Sequence, residues 1–75
     1  MRFAVGHATF FDNVLTIDIV EADNVKEAIM AHSAFNDPAS KPEYDLWLKD
    51  MPDALEEIEQ FFFDGDVLVS ATEIT

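Results

Sequence analysis

The chain contains no cysteine. That excludes a disulfide framework, a thiolate zinc site and a cysteine nucleophile. Secreted domains of this length usually carry such staples, so a cytoplasmic setting is expected. Glycine is nearly as scarce, with only Gly6 and Gly65. No G-x-G-x-x-G or Walker-type loop can be built from them, and nucleotide-dependent catalysis is not expected. Ser33, Ser40 and Ser70 lie in no G-x-S-x-G elbow. Cations are few: four Lys and Arg stand against sixteen Asp and Glu, a formal net charge of −12. Gripping DNA or RNA phosphates takes Lys and Arg, so direct nucleic-acid binding is not expected, and an anionic membrane surface is disfavoured. No apolar run approaches the roughly 20 residues of a membrane span. The first residues show no basic segment followed by an apolar one, the mark of a signal peptide.

What is present suits one small globular domain. The 75 residues are 49% hydrophobic and include seven Phe, one Trp and one Tyr. A chain this short buries only about 60% of its unfolded surface, and large aromatic side chains help to make that enough.

Residues 2–20 read as two strands around Asp12-Asn13, a pair that tolerates tight hairpin turns. In the second strand Leu15, Ile17 and Ile19 alternate with Thr16 and Asp18. A loop of Phe11, Asp12 and Asn13 would place Phe3, Val5, His7 and Thr9 on the face of Leu15, Ile17 and Ile19. An Asp12-Asn13 turn would place Ala4, Gly6, Ala8 and Phe10 there instead. The first register gathers more apolar area and is favoured; Ala4, Gly6 and Ala8 then form a smooth outer face that something could approach closely.

Asn24 followed by Glu27 has the spacing of a helix N-cap and its reciprocal partner. Val25, Ala28, Ile29, His32 and Phe35 form one helical stripe, ended by Asn36-Asp37-Pro38. A short helix is expected over 43–49, carrying Tyr44, Trp47 and Leu48. Asp50-Met51-Pro52 reads as the start of another, with Leu55, Ile58 and Phe62 as its apolar stripe. Gly65 is the expected left-handed residue at its end. Residues 67–74 are β-branched and read as a third strand. The order β-β-α-(α)-α-β gives an α+β fold, a three-stranded sheet with two to three helices on one face. The edge taken by the third strand is left open.

His7 and His32 are the only histidines. The favoured register lets them meet in the core. Two ligands without further donors make a packing role the expectation rather than a metal site. Asp64-Gly65-Asp66 lacks the alternating carboxylates of a calcium loop and reads as a turn. No metal or cofactor is expected.

The densest acidic stretch runs through Asp53, Glu56, Glu57 and Glu59 to Asp64 and Asp66. Like charges at i and i+4, as in Asp53 and Glu57, repel, and no lysine follows within this helix to relieve them. A solvated face explains them, and so does a positively charged partner. Phe61, Phe62 and Phe63 cannot all face one core, because three consecutive helical residues span about 200°. Tyr44, Trp47 and one of Phe61 or Phe63 could anchor an interface with a charged rim.

The stretch Phe10-Phe11-Asp12-Asn13-Val14-Leu15-Thr16-Ile17 through Glu21-Ala22, then Val25-Lys26-Glu27-Ala28, resembles small acidic proteins encoded by tailed bacteriophages. Met51-Pro52-Asp53, the acidic helix and Phe63-Asp64-Gly65-Asp66 add to the likeness. The resemblance implies a host-takeover or anti-defence factor in the cytoplasm of an infected cell, acting by binding a host protein. That group shares no common site, so no residue role is transferred.

The leading expectation is therefore a non-enzymatic protein that docks on a basic protein surface, with nucleic-acid-binding proteins as candidate partners and nucleic-acid mimicry as a sharper form. The alternative is a structural or homo-oligomeric module. The sheet would leave one face uncovered, carrying Phe10, Val14 and Val20 in the favoured register, and a second copy could cover it. A small enzyme is the third and least supported reading.

Overall fold

A computed structural model describes residues 1–11 and 13–74. Three strands, β1 (Arg2–Thr9), β2 (Thr16–Glu21) and β3 (Val67–Ile74), form one antiparallel sheet in the order β2-β1-β3. Three helices, α1 (Val25–Met30), α2 (Lys41–Leu48) and α3 (Leu55–Asp64), lie between β2 and β3 in the chain. The fold is α+β, as the element order implies. The open question of the third strand is answered by β1, which takes the centre with β3 on its other side.

One face of the sheet is covered. Phe3 and Val5 of β1 and Val67, Val69 and Ala71 of β3 are buried there. Ala28 and Ile29 of α1, Leu48 of α2, and Ile58 and Phe62 of α3 complete the core. Each α3 contributor follows from helical spacing: Ile58 and Phe62 are four apart on one face, while Phe61 is half-buried and Phe63 exposed. The run of three phenylalanines divides as its geometry requires.

Four local expectations are corrected. First, β1 pairs with β2 through Gly6↔Ile17, Ala4↔Ile19 and Val5↔Asp18, one residue away from the favoured register. Thr16, Asp18 and Val20 therefore share the covered face with Phe3, Val5 and His7, while Ile17 and Ile19 share the open face with Ala4 and Gly6. Val20 packs on the core rather than lying open. The turn residue Asp12 lies outside the described residues. Second, the stripe from Val25 to Phe35 is not one helix. α1 stops at Met30, and a 3-10 turn over Ser33–Phe35 carries Phe35 into the core. Third, Met51 and Pro52 precede α3 instead of starting it, and the Met51 side chain is buried. Fourth, Gly65 has an ordinary φ of −98°, and Asp66 is the left-handed residue, at φ 63°. Gly65 is required for space, since a Cβ there would stand 2.7 Å from Cζ2 of Trp47.

The α1 entrance is as its sequence suggests, with one variation. The Glu27 amide donates to Oδ1 of Asn24 at 2.9 Å, and Oε2 of Glu27 accepts from the Asp23 amide at 3.4 Å.

Candidate functional site

The open face of the sheet has a definite relief. Across it run two rows set by the register: Ile17–Gly6–Ser70 and Ile19–Ala4–Thr72. Each row reads large, small, then small and polar. Ala4, Gly6 and Ala8 of β1 thus form the floor of a trough. Leu15, Ile17 and Ile19 form one wall and are 64%, 61% and 58% exposed. The Leu15 side chain leans over the floor, 3.8 Å from where a Gly6 Cβ would be.

The opposite wall is mixed. Leu68 of β3 is 50% exposed, and α3 stands beside it with Glu56, Glu59 and Phe63. Oε2 of Glu59 accepts a hydrogen bond from the Ser70 hydroxyl at 2.7 Å, which ties α3 to the open face across β3. Phe63 meets Phe10 edge-on, their ring centres 5.3 Å apart. The hollow between α3 and the trough floor has a volume of about 530 Å³. It is an open, largely apolar depression edged by carboxylates, a shape for side chains of another macromolecule rather than for an enclosed small substrate.

An outward-facing row of large aliphatics is unusual for a sheet strand. Burying a side chain such as Ile contributes about 1.5–3 kcal/mol, and β2 forgoes that for Ile17 and Ile19. The covered face of β2 is instead given to Thr16, Asp18 and Val20. Oδ2 of Asp18 accepts from the Ser33 amide at 2.7 Å. The Thr16 carbonyl accepts from Nε2 of His32 at 3.2 Å. Nδ1 of His32 accepts from the Ala34 amide at 3.0 Å, so the neutral ring carries its proton on Nε2.

The acidic residues expected to form one face divide into groups. Glu56 and Glu59 border the trough. Asp53 turns to α1, where Nζ of Lys26 lies 3.0 Å from Oδ1. Glu57 is exposed near the start of α3. Asp64 accepts from Nε2 of Gln60 at 2.8 Å, and Asp66 occupies the turn into β3.

The aromatic residues divide too. Tyr44, Trp47 and Phe61 are half-buried and packed against the core, contrary to a free surface role for the 43–49 segment. Trp47 stacks on Phe61 at 5.2 Å and meets Phe62 edge-on at 5.1 Å. Tyr44 joins the same layer through Phe35. Phe63 is the one expected anchor that reaches the trough. The exposure of Leu15, Ile17 and Ile19 is not legible in the sequence, because alternation groups them together without saying which side they face.

His7 and His32 do meet, with ring centres 5.5 Å apart. Nε2 of His7 is buried without a hydrogen-bond partner among the described residues. Burial first, and the adjacent His32 second, hold the His7 imidazole below its usual range. Among the described residues no group of three or more His, Asp or Glu could hold a metal ion. No helix among them is long and apolar enough to cross a membrane.

Compared with protein-family models, curated proteins and solved structures, the chain shows no significant match.

Proposed function

We propose that this chain is a non-enzymatic protein-binding module that engages a cationic partner protein through the open face of its sheet. The observation that supports this reading is the trough itself: exposed Leu15, Ile17 and Ile19 facing Leu68 and Phe63, with Glu56 and Glu59 on the rim. An apolar centre with a charged border is the anatomy of a protein interface. The field of a −12 chain would steer a cationic partner toward it. In this reading the setting is cytoplasmic and the partner is a host protein of the kind small acidic phage factors bind. Carboxylates standing where phosphates would is a narrower form of the same reading.

The test is capture of partners on the immobilised chain at low and high salt, with wild type beside Ile17→Lys and with competitor DNA. A cationic protein retained by wild type, weakened by salt and lost from Ile17→Lys is the expected result. Retention that Ile17→Lys leaves unchanged would remove the open face from the reading. Displacement by DNA would favour the mimic form.

A second reading uses the same surface for a second copy of the chain, as a homo-oligomeric module. The exposed aliphatics favour it, and the charge of −12 on each copy opposes it at low salt. Sedimentation that gives a dimer only at high salt would support it.

A further inference from the structure

We propose that the trough is shaped for an amphipathic α-helix of the partner, one flank of which carries lysine or arginine; this rests on the protein-binding reading above. The floor of Ala4, Gly6 and Ala8 extends along β1 for roughly 13 Å, the length of about nine helical residues. β2 carries the tall side chains Ile17 and Ile19, while β3 opposite them carries the small Ser70 and Thr72, so the surface stays low from β1 across to α3. A convex cylinder therefore lies over β1 and β3 between the β2 wall and α3, and the small floor residues let its backbone approach closely. Gly6 keeps the centre low: a Cβ there would meet nothing nearer than Leu15.

Charge selects which helix. Glu56 and Glu59 border the trough on the α3 side, and Glu59 is held in place by Ser70. Lys26 and Lys41 are engaged with Asp53 and Asp45. Arg2 stands at the far end of β1, opposite its cross-strand neighbour Glu21. The rim thus offers carboxylates along its α3 side, complementary to a basic flank. A second copy of the chain would bring the same carboxylates and another −12 of charge to this face. A helix with apolar residues at i, i+3, i+4 and i+7 would set them against Ile17, Ile19 and Leu68, as in other helix-in-groove complexes.

The experiment selects binders to the full chain from a displayed library of helical peptides of about 15 residues, a length that overlaps the floor at both ends. Selected peptides are then resynthesised, and binding is mapped by amide chemical shifts. The expected sequences are apolar on one face with Lys or Arg on one flank, and they shift Ala4, Gly6, Ala8 and Ser70. A mid-peptide proline abolishes their binding. Gly6→Val, which raises the floor, weakens binding by about tenfold or more, as does Glu56→Lys with Glu59→Lys. Failure to select any helix, convergence on extended sequences, or Gly6→Val binding as wild type does would overturn the helix proposal. Those outcomes leave the wider reading to the Ile17→Lys capture result, which fails separately.

Discussion

Asp18 of β2 accepts the backbone amide of Ser33 at 2.7 Å, at the point where α1 gives way to the 3-10 turn. This single contact accounts for the facing of β2. With Asp18 turned to the covered face, Ile17 and Ile19 must turn to the open one. The Ser33 amide, and to a lesser degree the Ser33 side chain, hold the Asp18 carboxyl below its ordinary range. A depressed carboxyl contributes stability above its unfolded value and loses it as pH falls through the folded one. Asp18→Ala is expected to cost about 1 kcal/mol at neutral pH, with a smaller difference from wild type below pH of about 3.8. Urea unfolding of both chains at neutral and acid pH checks this.

His7 gives a second, separate pH step. Its imidazole is held below the usual range, so the unfolded chain takes up protons that the folded chain resists. Stability due to His7 is complete above about pH 6.5 and declines as pH falls from there toward its folded value. The groups around it are His32, 5.5 Å away between ring centres, and Asp18, 3.8 Å from Nδ1 of His32. His7→Phe retains the packing against Phe35 and removes the unpartnered Nε2. The expected result is a flatter dependence of the urea midpoint on pH just below 6.5, with the Asp18 step at lower pH intact.

Most of the architecture is legible in the sequence, because it rests on local signals. The Asn24 cap, the Ile58 and Phe62 stripe and the β-branched 67–74 segment all specify their elements without outside help. The facing of β2 is not of that kind. Alternation states that Leu15, Ile17 and Ile19 share a side, and burial of apolar area argues for the inner one. The Asp18–Ser33 bond decides otherwise, and it joins residues 15 positions apart. The same holds for Gly65, whose need for space comes from Trp47 eighteen residues earlier rather than from its own backbone. The uncovered face and its smooth Ala4, Gly6 and Ala8 floor are legible in the sequence; the walls are not. Among the expected anchors, Tyr44, Trp47 and Phe61 are drawn into the aromatic layer around Phe62, where each covers core surface.

The turn between α3 and β3 yields a prediction with two signs. Gly65→Ala puts a Cβ against the Trp47 ring, whose position is fixed by Phe61 and Phe62, and is expected to cost about 1–3 kcal/mol. Asp66 has a left-handed backbone, which disfavours a residue with a Cβ. Asp66→Gly is expected to be neutral or to stabilise by up to about 1 kcal/mol, and Asp66→Val to destabilise. Thermal unfolding of the three variants distinguishes the steric cause from the conformational one.

Surface and core aliphatics should separate cleanly in stability. Ile17→Lys and Leu68→Lys replace exposed side chains and are expected to change stability by no more than about 0.5 kcal/mol. Phe62→Ala removes a fully buried ring and is expected to cost about 3–5 kcal/mol. Denaturant midpoints at neutral pH check both. A large loss in Ile17→Lys would mean that the open face is covered in the free protein.

The most direct measurement is therefore partner capture by folded Ile17→Lys alongside wild type, both shown to unfold at the same denaturant midpoint. The prediction is that wild type retains a cationic protein at low salt and that Ile17→Lys, equally stable, does not. Equal retention by the two chains would contradict the assignment of the open sheet face as the binding surface.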